Sequence, residues 1–105
     1  KMNTFDERKK SFEKKFQMDE ELQFKVAARS NKYLGEWASS KFGKNEDQKK
    51  IYIQEIIKAD MEEAGNEDVF RKLKKDFQLA SLSIEDSEIR DQMKKALLRA
   101  KEDFK

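Results

Sequence analysis

The chain of 105 residues contains no proline and only three glycines, so there are few places at which a helix is obliged to stop. Two of the glycines, Gly43 and Gly65, fall where stripes of apolar residues at helical spacing run out. That pattern predicts helices closed by left-handed glycines rather than strands joined by turns. The first stripe is Leu22, Val26, Ala27, Tyr33, Leu34, Trp37 and Ala38, on a helix from about Asp19 to Phe42. Gly35 lies inside it, which costs ~1 kcal/mol relative to alanine but lets another helix come close. The second, starting at Glu46, carries Ile53, Ile56, Ile57 and Ala64. The third, running to about Leu79, carries Val69, Phe70, Leu73, Phe77 and Ala80, and the fourth Ile89, Met93, Ala96, Leu97, Ala100 and Phe104. No window alternates long enough for a strand, and the connections are short. The expected fold is all-α, a four-helix antiparallel bundle with a mobile or helical N-terminal arm.

Capping chemistry marks the helix starts. Asp19, followed by Glu20 and Glu21, reads as an N-cap with acids in the first turn, where the helix dipole favours them. Asn45 with Gln48 three places on resembles a capping box, Asn66 precedes Glu67 and Asp68, and Ser83 precedes Asp86 at the same spacing. Asp60 is the odd residue, because by angle it falls inside the apolar stripe of the second helix. A carboxylate with a tuned pKa is one reading; the simpler one is a side chain at the edge of the stripe, paired with a Lys or Arg of a neighbouring helix.

Charged residues make up 44 % of the chain and hydrophobic ones 36 %, against about 25 % charged in an ordinary domain, so the core is small and the surface heavily solvated. Eight Phe, two Tyr and one Trp nevertheless argue against wholesale disorder. The length suits one core. Neither cysteine nor histidine is present, which removes thiol chemistry, zinc ribbons and the commonest general base. Acidic clusters such as Asp19, Glu20 and Glu21, or Asp60, Glu62 and Glu63, lack calcium-loop spacing, and no Gly-rich phosphate loop is present. No enzyme, cofactor or metal is expected. A net charge of only +2 speaks against a nucleic-acid surface. There is no apolar run of transmembrane length, and a cytoplasmic protein is expected.

The remaining feature is the N-terminal run TFDERKKSFEKKFQM. At ~100° per residue Phe5, Phe12 and Phe16 fall within about 40° of one another on a helix. Arg8, Lys9, Lys10, Lys14 and Lys15 stand between them against Asp6, Glu7 and Glu13. Were the helix unbroken, this stripe would be rotated by roughly 70° from that of Leu22, Val26, Tyr33 and Trp37. The rotation and the Asp19 cap together predict a restart near residues 17–19, dividing a docking segment, 1–18, from a helical bundle domain, 19–105. One long helix with its Phe stripe packed on its own bundle is the alternative. A basic helix with aromatic anchors suits a groove on a protein partner or an anionic membrane surface, and the interleaved acids favour the protein.

The stretches TFDERKKSFEKKF, DEELQFKVAARSNKYLGEWA, KADMEEAGNEDVFRKL and IRDQM resemble the zeta-type inhibitor subunit of the F-type ATP synthase of alphaproteobacteria. The run from Lys58 to Leu73 and the DEELQFK segment are the most specific. The resemblance implies a four-helix protein, monomeric when free, whose N-terminal segment becomes helical on entering the catalytic head of the synthase. There it wedges at a catalytic interface beside the rotor and stops ATP hydrolysis. The partner would be the alpha, beta and gamma subunits at the cytoplasmic face of the inner membrane. Phe5, Phe12 and Phe16 would be anchors; Arg8, Lys9, Lys10, Lys14 and Lys15 would make electrostatic contacts.

Overall fold

The computed structural model describes residues 19–62 and 65–105. Over these the chain forms α1 (Glu20–Phe42), α2 (Glu46–Glu62), α3 (Glu67–Leu79) and α4 (Asp86–Asp103), and among the described residues there is no strand. Helix α1 packs on α2 and α4, and α3 completes the ring between those two. The helices are antiparallel in sequence order, as the residues that meet show. Gly35 lies against Ile53 and Asn31 bonds Asp60 between α1 and α2. Tyr52 bonds Asp76 and Lys72 pairs with Glu55 between α2 and α3. Arg90 pairs with Glu67 and Lys74 with Asp86 between α3 and α4. Arg29 of α1 pairs with Asp103 at the far end of α4.

The helix ends follow local chemistry. Asp19 adopts an extended conformation and accepts the Leu22 N–H at 2.8 Å, starting α1 as expected. Gly43, at φ 73°, ends it, with the Gly43 and Lys44 N–H groups both donating to the Ser39 carbonyl. The capping box at α2 is reciprocal: Gln48 N–H donates to Asn45 Oδ1 at 2.8 Å, and Asn45 N–H to Gln48 Oε1 at 3.0 Å. Two other expected caps differ. Asn66 precedes α3 without a side-chain bond to the helix, because at φ −114°, ψ 8° its backbone is not in the extended conformation that aims a cap side chain inward. The fourth helix starts after Glu85 and not at Ser83, since Leu82 and Ile84, one on each side of Ser83, pack against the core and hold that stretch out of the helix.

The core is drawn from all four helices: Leu34 and Ala38, Tyr52 and Ile56, Val69, Phe70, Leu73 and Phe77, Ile89, Met93 and Ala96. The α3 stripe is buried as the spacing predicts, except Ala80, which lies past the helix end and is exposed. In α2 the buried pair is Tyr52 and Ile56, with Ile53 and Ile57 only half-buried. Close approach of α1 at Gly35 turns α2 so that Tyr52 points inward. Leu97 lies at the edge of the α4 stripe, 38 % exposed. Aromatic rings close the end of the bundle where α1 stops and α2 begins: Phe42 stacks on Phe77 at 5.0 Å and meets Tyr52 edge-on at 5.3 Å, and Trp37 meets Phe77 edge-on at 5.4 Å.

Candidate functional site

The residues singled out for partner binding, Phe5, Arg8, Lys9, Lys10, Phe12, Lys14, Lys15 and Phe16, lie outside the described residues. The structure does describe the point from which their segment departs. Asp19 carries φ −66° and ψ 172°, so the backbone at that residue is extended and α1 begins after it. Its side chain is committed to the cap, and Glu20 and Glu21 occupy the first turn, where the dipole favours them. The start of α1 thus falls at the Asp19 cap that the sequence predicts.

Elsewhere the described residues form depressions at the bundle surface. One of about 380 Å³ is walled by Ser30, Asn31 and Leu34 of α1, Asp60 of α2, Asn66 before α3, and Met93 and Leu97 of α4. Here Asp60 meets a neutral partner and not the expected Lys or Arg: Asn31 Nδ2 donates to Asp60 Oδ2 at 2.9 Å. Asn31, 7 % exposed, sits on the inner face of α1 directly across from Asp60, so the amide occupies the place a cation would need. The same angular test that singled out Asp60 would have found Asn31, had it been applied to the polar residues of α1.

The second polar cluster joins α2 to α3. Tyr52, 4 % exposed, donates its hydroxyl to Asp76 Oδ2 at 2.8 Å, and Lys72 Nζ donates to Asp76 at 3.0 Å and Glu55 at 3.2 Å. Burial pushes the Tyr52 phenol well above its ordinary range, and the bond to Asp76 adds to this. Burial works against the Lys72 charge, but the hydrogen bonds to Asp76 and Glu55 outweigh it and raise its pKa. Both groups keep their protons at neutrality, so the cluster is a fixed strut. A third cluster fastens α4 to α1. Asp103 takes hydrogen bonds from Tyr33 and Arg29, which hold its carboxyl below the ordinary 3.8, and the Arg99 guanidinium lies 3.8 Å over the Tyr33 ring.

Among the described residues no group of three or more His, Cys, Asp or Glu is placed to hold a metal. No described helix is long and apolar enough to cross a membrane. The chain matches no curated protein sequence. The family model of the ATPase inhibitor subunit zeta matches residues 2–103, which takes in the basic Phe-striped segment, the capped start of α1 and all four helices. The chain belongs to the ATPase inhibitor subunit zeta family.

Proposed function

We propose that this protein inhibits ATP hydrolysis by the F-type ATP synthase, and that residues 1–18 are the part that enters the catalytic head. Family membership supports the inhibitory role. The mechanism rests on one observation above the others: α1 starts at an Asp19 cap, immediately after a segment whose three Phe form a stripe out of phase with the α1 stripe. The core formed by the described residues draws on all of α1 to α4, and in this reading Phe5, Phe12 and Phe16 serve a partner. The bundle then serves as a body too large to follow the segment into the interface between alpha and beta subunits beside gamma. Inhibition in this reading is a mechanical block, with no catalytic step of the inhibitor's own.

Energetics constrain the segment. Ordering a backbone on binding costs ~1–2 kcal/mol per residue, while burying a Phe returns ~1.5–3 kcal/mol. Three anchors do not offset fifteen or so residues, so helix hydrogen bonds and the contacts of Arg8, Lys9, Lys10, Lys14 and Lys15 with acidic rims must contribute. Rim charges act mainly on encounter. Replacing Lys9, Lys10, Lys14 and Lys15 by Gln is therefore predicted to slow the onset of inhibition of the soluble catalytic head and to flatten its salt dependence. An unchanged onset rate and salt dependence would remove the basic residues from the mechanism. Pelleting of the protein with anionic vesicles in the absence of the synthase would instead favour a membrane-binding segment.

A further inference from the structure

Among the described residues, carboxylates that cross between helices and end on a cation include Glu55 on Lys72, Glu67 on Arg90, Asp86 on Lys74 and Asp103 on Arg29. Asp60 crosses from α2 to α1 and ends on the Asn31 amide. Among the described residues it has no ion pair. It is half-buried, in the wall of a cleft of about 380 Å³, a volume within the range of small-ligand sites. The amide fixes the carboxylate without neutralising it, since Asn31 donates a hydrogen bond and carries no charge. Asn31 is itself more than nine-tenths buried, so the pair is part of the fold and not a mobile surface contact.

A negative group held at the wall of a cleft, its charge unmatched among the described residues, attracts a positive one, and partial burial strengthens the attraction. The lining also includes the apolar side chains of Leu34, Met93 and Leu97. An anion is disfavoured by Asp60. A hard metal cation would need several oxygen ligands, carboxylates foremost, and among the described residues no group of three or more His, Cys, Asp or Glu is placed to hold one. What fits both the carboxylate and the apolar side chains is an ammonium or guanidinium group carried on an apolar body.

We propose that the Asp60 cleft is a recognition site for such an organic cation, its charged head on the Asp60 carboxylate and its apolar body against Leu34, Met93 and Leu97. Two sources share this chemistry, a small amine and a lysine side chain of the chain's own segment 9–15. The site does not depend on the inhibitory reading.

The test uses the full chain and 2-phenylethylammonium, with the neutral 2-phenylethanol as control, followed through backbone amide NMR shifts. The cation is expected to move the signals of Ser30, Asn31, Asn66 and Leu97, and the alcohol to move them far less. Asp60→Asn should weaken cation binding by about tenfold or more, the weight of a charge-assisted hydrogen bond. Equal response to both probes in the wild type would overturn the proposal without reliance on any variant, and so would undiminished cation binding by a helical Asp60→Asn protein. Neutralising Lys9, Lys10, Lys14 and Lys15 identifies the source. Tighter probe binding upholds the site with the chain's own lysines as its occupant; unchanged binding upholds it with an external amine.

Discussion

Ser81 stands at φ 58°, in the left-handed region that a side chain other than glycine's occupies at a cost of roughly 1–2 kcal/mol. It holds that place because it ends α3. Leu82 N–H reaches back to the Phe77 carbonyl at 2.9 Å, and Leu82 packs against the core, which is the hydrophobic closure that usually follows a C-terminal glycine. We predict that Ser81→Gly stabilises the bundle by about 0.5–1 kcal/mol in a urea melt; a loss of stability would mean that the serine side chain makes a contribution of its own. Tyr52→Phe is expected to cost about 0.5–1.5 kcal/mol, the weight of one net hydrogen bond, because Lys72 continues to satisfy Asp76. A loss several times larger would show that the hydroxyl holds α2 on α3 almost alone. Glycine ends could be read in advance at Gly43 and Gly65 because glycine is the residue that suits positive φ. Ser81 could not, since nothing in a serine announces that the next residue will be pulled into the core.

At the scale of the helices, the close contact is between α1 and α2. A Cβ built on Gly35 would lie 2.7 Å from Ile53 Cγ1 and 3.2 Å from its Cα, so a methyl there collides with backbone as well as side chain. Gly35→Ala gains ~1 kcal/mol in helix propensity but incurs an overpacking cost of ~1–3 kcal/mol. Net destabilisation is predicted, read as a lower denaturant midpoint; a higher midpoint would mean that the two helices have room to separate. The same contact explains what periodicity missed. Ile53, Ile56 and Ile57 make the obvious stripe, yet Ile53 is committed to Gly35 at the edge and Tyr52 turns inward beside Ile56. The α3 stripe was legible because its four apolar positions are all large and its polar residues are strongly charged. Helix α4 was legible in four of its positions, Ile89, Met93, Ala96 and Ala100, whereas Leu97 lines an open cleft that only the tertiary arrangement creates. Pairings between elements set the response to acid. Glu67, held below its ordinary 4.5 by its hydrogen bonds from Arg90, and Asp103, held down by Tyr33 and Arg29, contribute stability that is present above those ordinary values. It is lost as pH falls through the lowered ones. The drop in melting temperature from pH 6 to pH 3 is therefore expected to be smaller in Glu67→Gln/Asp103→Asn than in the wild type; an equal drop would assign acid sensitivity to other carboxylates.

For the molecule as a whole, the division of labour we propose is between a charged bundle and the segment that precedes it. The sequence displays that division in two physical signals, the phase of the Phe stripe and the cap at Asp19, and the structure bears out the second. The Asp60 cleft was half legible: the residue stood out by angle, but its Asn31 partner and the apolar wall of α4 depend on which helices become neighbours, which no local pattern encodes. The central claim is that Phe12 and Phe16 anchor the inhibitor in the synthase while contributing nothing to the bundle. Its most direct test is ATP hydrolysis by the soluble catalytic head, titrated with the wild type and with Phe12→Ala/Phe16→Ala side by side, with melting temperatures recorded for both. Losing ~1.5–3 kcal/mol of burial per ring predicts binding weaker by roughly two orders of magnitude or more, at an unchanged melting temperature. Equal inhibition by the two proteins, or a melting temperature lowered along with the inhibition, would contradict it.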